Sequence, residues 1–318
     1  MIVKDYRKEF ETLAKAYEKA GGDVSKFLDR RIASIIISGD KVIGLNGVEG
    51  VELTPHRIEN GVQVDMRIKE GVVVEYPVHV CTGYLEKKGL QRVVFNIRLE
   101  KNAKAIFVAH CVFPWTEDFT HDALMNVELE EGAWMEYHDE HMHSETGSIN
   151  LITRSIARVG EGAVYRNTFT LVKTRIGTLR VFMDASLEKD AVGELYTKVK
   201  AIEDDDVEVK EILRLNGMGA RGLAKTNAVA IDRAKVSVVN EVYGNAPHTR
   251  GHVECLEIAK GDGVDVRALP VLVVKNDSSE LTHEASIGRV NAKQLETLMA
   301  KGLTEEEATE MIIKGILT

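Results

Sequence analysis

The chain has 318 residues, 44% hydrophobic, 29% charged and 6% aromatic, which is enough apolar content for a long core and too much for wholesale disorder. Lys and Arg number 41 against 50 Asp and Glu, a formal charge of −9, so the basic face of a nucleic-acid or anionic-membrane binder is not expected. No stretch approaches the roughly 20 apolar residues that span a bilayer, and Met1 to Phe10 has no signal-like apolar run, so a cytoplasmic protein is expected.

Residues 1–30 read as a helical segment. Tyr6, Phe10, Leu13 and Tyr17 recur at spacings of three and four, Gly21 and Gly22 supply a stop, and a short second turn follows from Val24 to Leu28. From Ala33 the period shifts towards two. Ser34–Ser38, Val62–Ile68, Val72–Val80, Arg92–Leu99 and Lys104–Val112 are short Val-, Ile- and Phe-rich runs parted by polar or Gly turns, the pattern of strands. No convincing amphipathic helix interrupts them, which argues against a βαβ arrangement.

The corners between these strands repeat. Leu99-Glu-Lys-Asn-Ala103, Leu129-Glu-Glu-Gly-Ala133, Val159-Gly-Glu-Gly-Ala163 and Leu187-Glu-Lys-Asp-Ala191 place their alanines 30, 30 and 28 residues apart, with Ile202–Asp206 and Ile231–Ala234 as degenerate copies. A fixed period of strands with polar corners predicts a β-solenoid, whose units bury their apolar faces only by stacking on neighbours. A β-sandwich is the alternative on pattern alone. The solenoid core is assigned to residues 31–288. Residues 289–318 return to helix: Asn291 caps one, with Gln294 three residues on and Gly302 as its stop. Thr304 and Glu307 open a second, with Ala308, Met311, Ile312 and Ile316 on one stripe.

Cys81, Cys111 and Cys255 are widely spaced, an odd count that fits a reducing compartment and excludes a self-contained four-cysteine metal site. The densest ligand-like run is Glu136 to Glu145. His138, His141 and His143 there read either as ligands for Zn²⁺ or Fe²⁺ or as a polar strand end, with His141 and His143 sharing a face in extended chain. His110, Cys111 and His121 form a looser group, in which Cys111, like Cys81, reads better as a buried structural thiol. In Gly251–Ile258, parity sets Leu256 and Ile258 against Cys255 and Glu257; Cys255 points outward if the apolar pair faces the core and packs inside if it does not. Leu281, His283, Ala285 and Ile287 are in phase, and Glu284 is out of phase. The chain has no phosphate-binding loop of the G-x-x-x-x-G-K-[ST] type and no G-x-S-x-G elbow, and Gly217–Ala220 reads as a turn.

The ordered series Gly251-His-Val-Glu-Cys-Leu-Glu-Ile258, Leu269-Pro-Val-Leu272, Glu280-Leu-Thr-His-Glu-Ala-Ser-Ile-Gly-Arg289, Gln294-Leu295, Lys301-Gly302-Leu303, Glu305–Ala308 and Ile312-Ile-Lys-Gly315 closely resembles the SufB/SufD family. The resemblance implies an all-β fold, a right-handed parallel β-helix with short helical segments at both termini. It also implies a non-enzymatic scaffold of the SUF system that assembles and transfers a transient iron–sulfur cluster and binds no nucleotide itself. The implied partners are a SufC-type ABC ATPase, docked on the C-terminal helices, and a second copy or a SufB/SufD paralogue. His283 and Glu284 fall on the family's His-Glu-Ala motif. The family cysteine matches Val253 without gaps, with Cys255 two residues on and on the same face. Cys255, His283 and Glu284 are therefore the cluster- and sulfur-handling candidates, and Leu295, Leu298, Met299, Leu303, Met311 and Ile312 the partner-binding ones. The rival function is a metal-dependent enzyme, cupin-like or sugar-processing, using His138, His141 and His143.

Overall fold

The computed structural model describes residues 6–19 and 23–317; Gly21 and Gly22, expected to stop the first helix, lie outside them. Helices α1 (Arg7–Lys19) and α2 (Ser25–Leu28) precede the strands. One sheet runs, in spatial order, β2 (Lys41–Asn46), β1 (Ser34–Ser38), β5 (Val78–Gly83), β7 (Lys104–Phe113), β9 (Trp134–His143), β11 (Val164–Leu171), β13 (Val192–Ala201), β15 (Arg221–Ile231), β17 (Arg250–Lys260) and β19 (Glu280–Gly288). The facing sheet runs β3 (Val51–Ile58), β4 (Gly61–Ile68), β6 (Lys88–Leu99), β8 (Asp118–Leu129), β10 (Ile149–Val159), β12 (Thr178–Leu187), β14 (Asp206–Leu215), β16 (Lys235–Gly244) and β18 (Asp265–Val274). Helices α3 (Ala292–Met299) and α4 (Glu305–Leu317) follow.

This is a β-solenoid. Beyond the two antiparallel hairpins that begin the sheets, every ladder is parallel, and the chain crosses from one sheet to the other at each corner. A residue meets its counterpart one coil away, as Leu151 meets Leu179 and Cys255 meets Ala285. Inward side chains therefore stack as columns, and one continuous apolar core runs from Ala33 to Cys255. On the solvent face the same stacking lines up opposite charges, as in Arg98–Glu130, Arg166–Glu194 and Arg214–Asp184.

The repeated corners join each strand of the second sheet to the next of the first. Asn102, Gly132, Gly162 and Asp190 have φ near +60°, where Gly, Asn and Asp are tolerated. The following alanines, Ala103, Ala133, Ala163 and Ala191, are fully buried because the chain folds back over them. Gly217–Ala220 forms another corner of this kind. Ile202–Asp206 and Ile231–Ala234 belong instead to the opposite corner, from the first sheet to the second. Ala234 fills the buried position of this corner, and its counterpart one coil earlier is Asp205. Asp205 is tolerated because Arg175 reaches it at 3.2 Å and the backbone N–H groups of Ile176, Gly177 and Ile202 donate to it.

The strand expected over Val72–Val80 begins only at Val78. Residues 72–77 contribute a lone bridge, Val73 to Lys104, because Gly71 turns the chain and Pro77 has no N–H for a ladder. Helix α1 lies on the outer face of the first sheet and buries Leu13, Ala16 and Tyr17 against Ile36, Cys81 and Val112. Cys81 is thus a structural thiol under a helix, pushed up to about 12 by burial.

Candidate functional site

The alternation of β17 directs Gly251, Val253, Cys255 and Glu257 inward, and Cys255 is 2% exposed. Of the two orientations that parity left open for Cys255, the structure adopts the inward one. Ile258 is buried too, but under α4, in a separate cluster with Val229, Ile313 and Leu317. Both faces of the strand are covered here, so an apolar residue does not report which face looks into the core.

One coil on, β19 pairs His283 with Val253, Glu284 with Glu254 and Ala285 with Cys255. Leu281 leans on the core, so its in-phase neighbours His283, Ala285 and Ile287 share the inner side. They are exposed because β19 is the last strand of its sheet. Glu284 is on the outer face beside Glu254, which Lys225 holds at 2.7 Å. Cys255 and His283 therefore share one side at the open end of the solenoid, and Glu284 faces away from them.

Beneath Cys255 runs a buried polar column. Thr197 Oγ1 donates to Glu211 Oε1 at 2.6 Å, Thr226 Oγ1 to Glu211 Oε2 at 3.2 Å, and Asn240 Nδ2 to Thr226 Oγ1 at 3.2 Å and to Cys255 Sγ at 3.6 Å. Burial pushes the Glu211 carboxyl up to about 8 against the pull of these hydrogen bonds. The Cys255 thiol is pushed up to about 12, by burial first and then by the charges of Glu257 and Glu211. Glu257 is 1% exposed, raised to about 7 by burial, and neither of its carboxyl oxygens has a hydrogen-bond partner.

Glu211 and Asn240 were not singled out from sequence, and Glu257 was named there only as the in-phase neighbour of Cys255. The signal was there as a polar residue in phase with inward apolar ones: Val207, Val209, Glu211, Leu213 for one, and Val236, Val238, Asn240, Val242 for another.

The raised Glu211 sets a pH dependence. Its folded form holds a proton that the unfolded chain releases near its ordinary value of 4.5. The group's contribution to stability is therefore full below about 4.5 and declines until pH about 8, at up to ~1.4 kcal/mol per pH unit. Glu211→Gln should flatten that decline. Urea unfolding at pH 5, 6, 7 and 8 measures it, and parallel profiles for the two proteins would refute this.

His138, His141 and His143 do not converge. His138 is on the outer face of β9, 2.8 Å from Glu136 Oε1, whereas His141 and His143 are buried inside. His110 also faces out, edge-on to Tyr17 of α1. Cys111 and His121 point in, so the interior near β7 and β9 holds a second polar group, built on Cys111, Asp139 and His141.

The C-terminal helices carry the expected caps. Asn291 accepts from the N–H groups of Lys293 and Gln294, and Thr304 and Glu307 cap each other reciprocally. The buried residues of α4 are Ala308, Thr309, Ile313 and Leu317, a stripe rotated from the expected Ala308–Met311–Ile312–Ile316. The cause is the seat of α4 on Val229 and Ile258. Helix α3 buries none of its residues. Leu295, Leu298, Leu303 and Ile312 are half-buried, and Met299 and Met311 are 42% and 51% exposed. Leu298, Met311, Ile312 and Ile316 line a groove between the two helices.

Residues 85–316 match the family model described as SUF system FeS cluster assembly, SufBD core domain. The chain belongs to the SufBD family. It is 48% identical over its whole length to an iron–sulfur cluster assembly SufBD family protein of Pyrococcus horikoshii, covering 96% of that protein. A SufBD family protein of Methanocaldococcus jannaschii is 37% identical over 89% of this chain and 89% of its own length. The iron–sulfur cluster assembly protein SufB of Bacillus subtilis is 36% identical over 72 residues, 23% of this chain and 16% of that protein. No helix among the described residues of this SufBD chain is long and apolar enough to cross a membrane.

Proposed function

We propose that this SufBD chain is a non-enzymatic scaffold on which an iron–sulfur cluster is assembled and handed on, in the cytoplasm and together with a SufC-type ATPase. The observation that carries the reading is the open end of the solenoid. Cys255, Glu257 and His283 share its inner side, and the carboxyl oxygens of Glu257 are buried without a partner. An orphaned carboxylate beside a thiol costs free energy unless a cation arrives. Iron, as cargo, would take thiolate, imidazole and carboxylate from this set. On binding, the Cys255 proton leaves and the thiolate ligates the iron.

One chain offers too few thiolates for a cluster, so a second copy or a paralogue completes it. In support, the last coil keeps unpaired strand edges, and Leu269, Val274 and Ile287 are 58%, 52% and 47% exposed. Glu284, on the outer face, serves the copy across that contact. The test is anaerobic reconstitution with Fe²⁺ and sulfide, scored as bound iron and acid-labile sulfide. The triple variant Cys255→Ala/His283→Ala/Glu284→Ala should fall to background, and equal loading would remove the site assignment.

The groove of α3 and α4 is the proposed ATPase seat, because an amphipathic helix that buries nothing in its own chain leaves its apolar face for a partner. Leu298→Asp/Met311→Asp should weaken capture of a SufC-type ATPase at least roughly tenfold. Met311 is exposed and Leu298 half-buried in the groove, so a thermal melt of the variant separates lost docking from lost packing between the helices. Undiminished capture in a pull-down would rule the groove out.

A further inference from the structure

We propose that the solenoid carries a second metal site, distinct from its open end: an interior centre for one late first-row divalent ion such as Zn²⁺, formed by Cys111, Asp139 and His141. The three residues come from neighbouring strands. Cys111 on β7 pairs directly with His141 on β9, and Asp139 is two residues before His141 on the same inward side. One ligand atom from each, Cys111 Sγ, a carboxylate oxygen of Asp139 and a ring nitrogen of His141, lies within 4.8 Å of the other two. A tetrahedral ion with bonds of about 2.0–2.3 Å sets its ligands about 3.3–3.8 Å apart, so side-chain torsions alone close the set.

Charge supports the assignment. Thiolate and carboxylate together carry two negative charges, which one divalent cation neutralises with the imidazole left neutral. Without a cation the group is poorly satisfied. Thr82 Oγ1 donates to Cys111 Sγ at 2.8 Å and His141 Nδ1 meets His143 Nε2 at 3.4 Å, but His141 Nε2, 3.2 Å from Asp139 Oδ1, forms no hydrogen bond, and Cys111 Sγ reaches Asp139 only at 3.9 Å. Around it, His121 Nε2 and His143 Nδ1 are also buried without partners. Phe113 and Phe169 pack on the His141 ring. Cys111, Asp139, His121 and Phe169 line a cavity of about 30 Å³, room for about one water-sized occupant, beside the buried His141. Asp139 is 14% exposed and links the cavity to solvent. Three protein ligands leave the fourth position of a tetrahedral ion open.

The pairing of sulfur and imidazole selects a borderline ion over Mg²⁺ or Ca²⁺. Co²⁺ is therefore the probe, added anaerobically to the metal-free full chain without sulfide, so that no cluster can form. One equivalent should give an intense thiolate-to-Co²⁺ charge-transfer band and tetrahedral d–d bands, which one equivalent of Zn²⁺ abolishes. Cys81→Ser/Cys255→Ser, in which Cys111 is the sole thiol, should keep the band, whereas Cys111→Ser and His141→Asn should lose it. Wild-type protein that shows no charge-transfer band at one equivalent overturns the proposal. So does a band that Cys111→Ser retains or that Cys81→Ser/Cys255→Ser loses. Because the wild-type spectrum is itself decisive, a variant that fails to fold does not shelter the idea. Cluster loading that Cys255→Ser retains, with this band intact, would be a failure of the scaffold reading alone; loading that Cys255→Ser loses, with no band in wild type, would be a failure of this one alone.

Discussion

Asp205→Ala should lower the melting temperature by roughly 10 °C, the stability signature of removing one half of a buried, multiply bonded ion pair, worth about 3–5 kcal/mol. Asp205 is fully buried, and its carboxylate takes the Arg175 guanidinium and three backbone N–H groups at the corner between β13 and β14. Truncation strands the three backbone donors in a site closed to water and takes from Arg175 its only buried partner at this corner. Arg175 also touches Glu203 and Asp204, but these side chains are 56% and 75% exposed and are worth little. Asp204→Ala is therefore the control, expected within about 0.5 kcal/mol of wild type. Thermal melts of the two variants decide it: equal shifts would show that the corner does not rest on Asp205.

Cys255→Ser alone should reduce the iron and acid-labile sulfide retained after anaerobic reconstitution by at least roughly tenfold, the lower bound set by the effect of losing even an indirect metal contact. Serine preserves the volume of the thiol and can accept from Asn240 as the sulfur does, so the fold should be unchanged by circular dichroism. What serine cannot supply is a soft anionic ligand for iron. Cys81→Ser is the control, because that thiol is packed under α1 against Leu13 and Tyr17, remote in sequence and in the stack from the last coil. If Cys255→Ser retains wild-type loading, cluster assembly does not take place at the open end.

The coil repeat was legible because its physics is local. A residue that must adopt positive φ and an alanine that must fit under a folded-back chain leave the same mark each time, at Asn102-Ala103, Gly132-Ala133, Gly162-Ala163 and Asp190-Ala191. The caps at Asn291 and Thr304 were readable for the same reason, since donor and acceptor are within three residues of each other. At the candidate site, the phase of His283 against Glu284 was likewise visible in the alternation around Leu281. The direction of Cys255 was not, because parity names two faces without saying which is inside. Nor was the stripe that α4 buries, since Met311 and Ile313 are equally apolar and only the seat on Val229 and Ile258 selects between them.

Most strands, the corner chemistry and the ends of the terminal helices could be read along the chain because they depend on contacts within a few residues. Which polar side chains meet depends on how the coils stack. Stacking brings residues some thirty positions apart to neighbouring-strand distance, about 4.8 Å, as with Cys111 and His141 or Cys255 and Ala285. It also buries Glu211 and Glu257 where a strand read alone would place a solvated carboxylate. The interior columns are a property of the stack, and no single coil contains them.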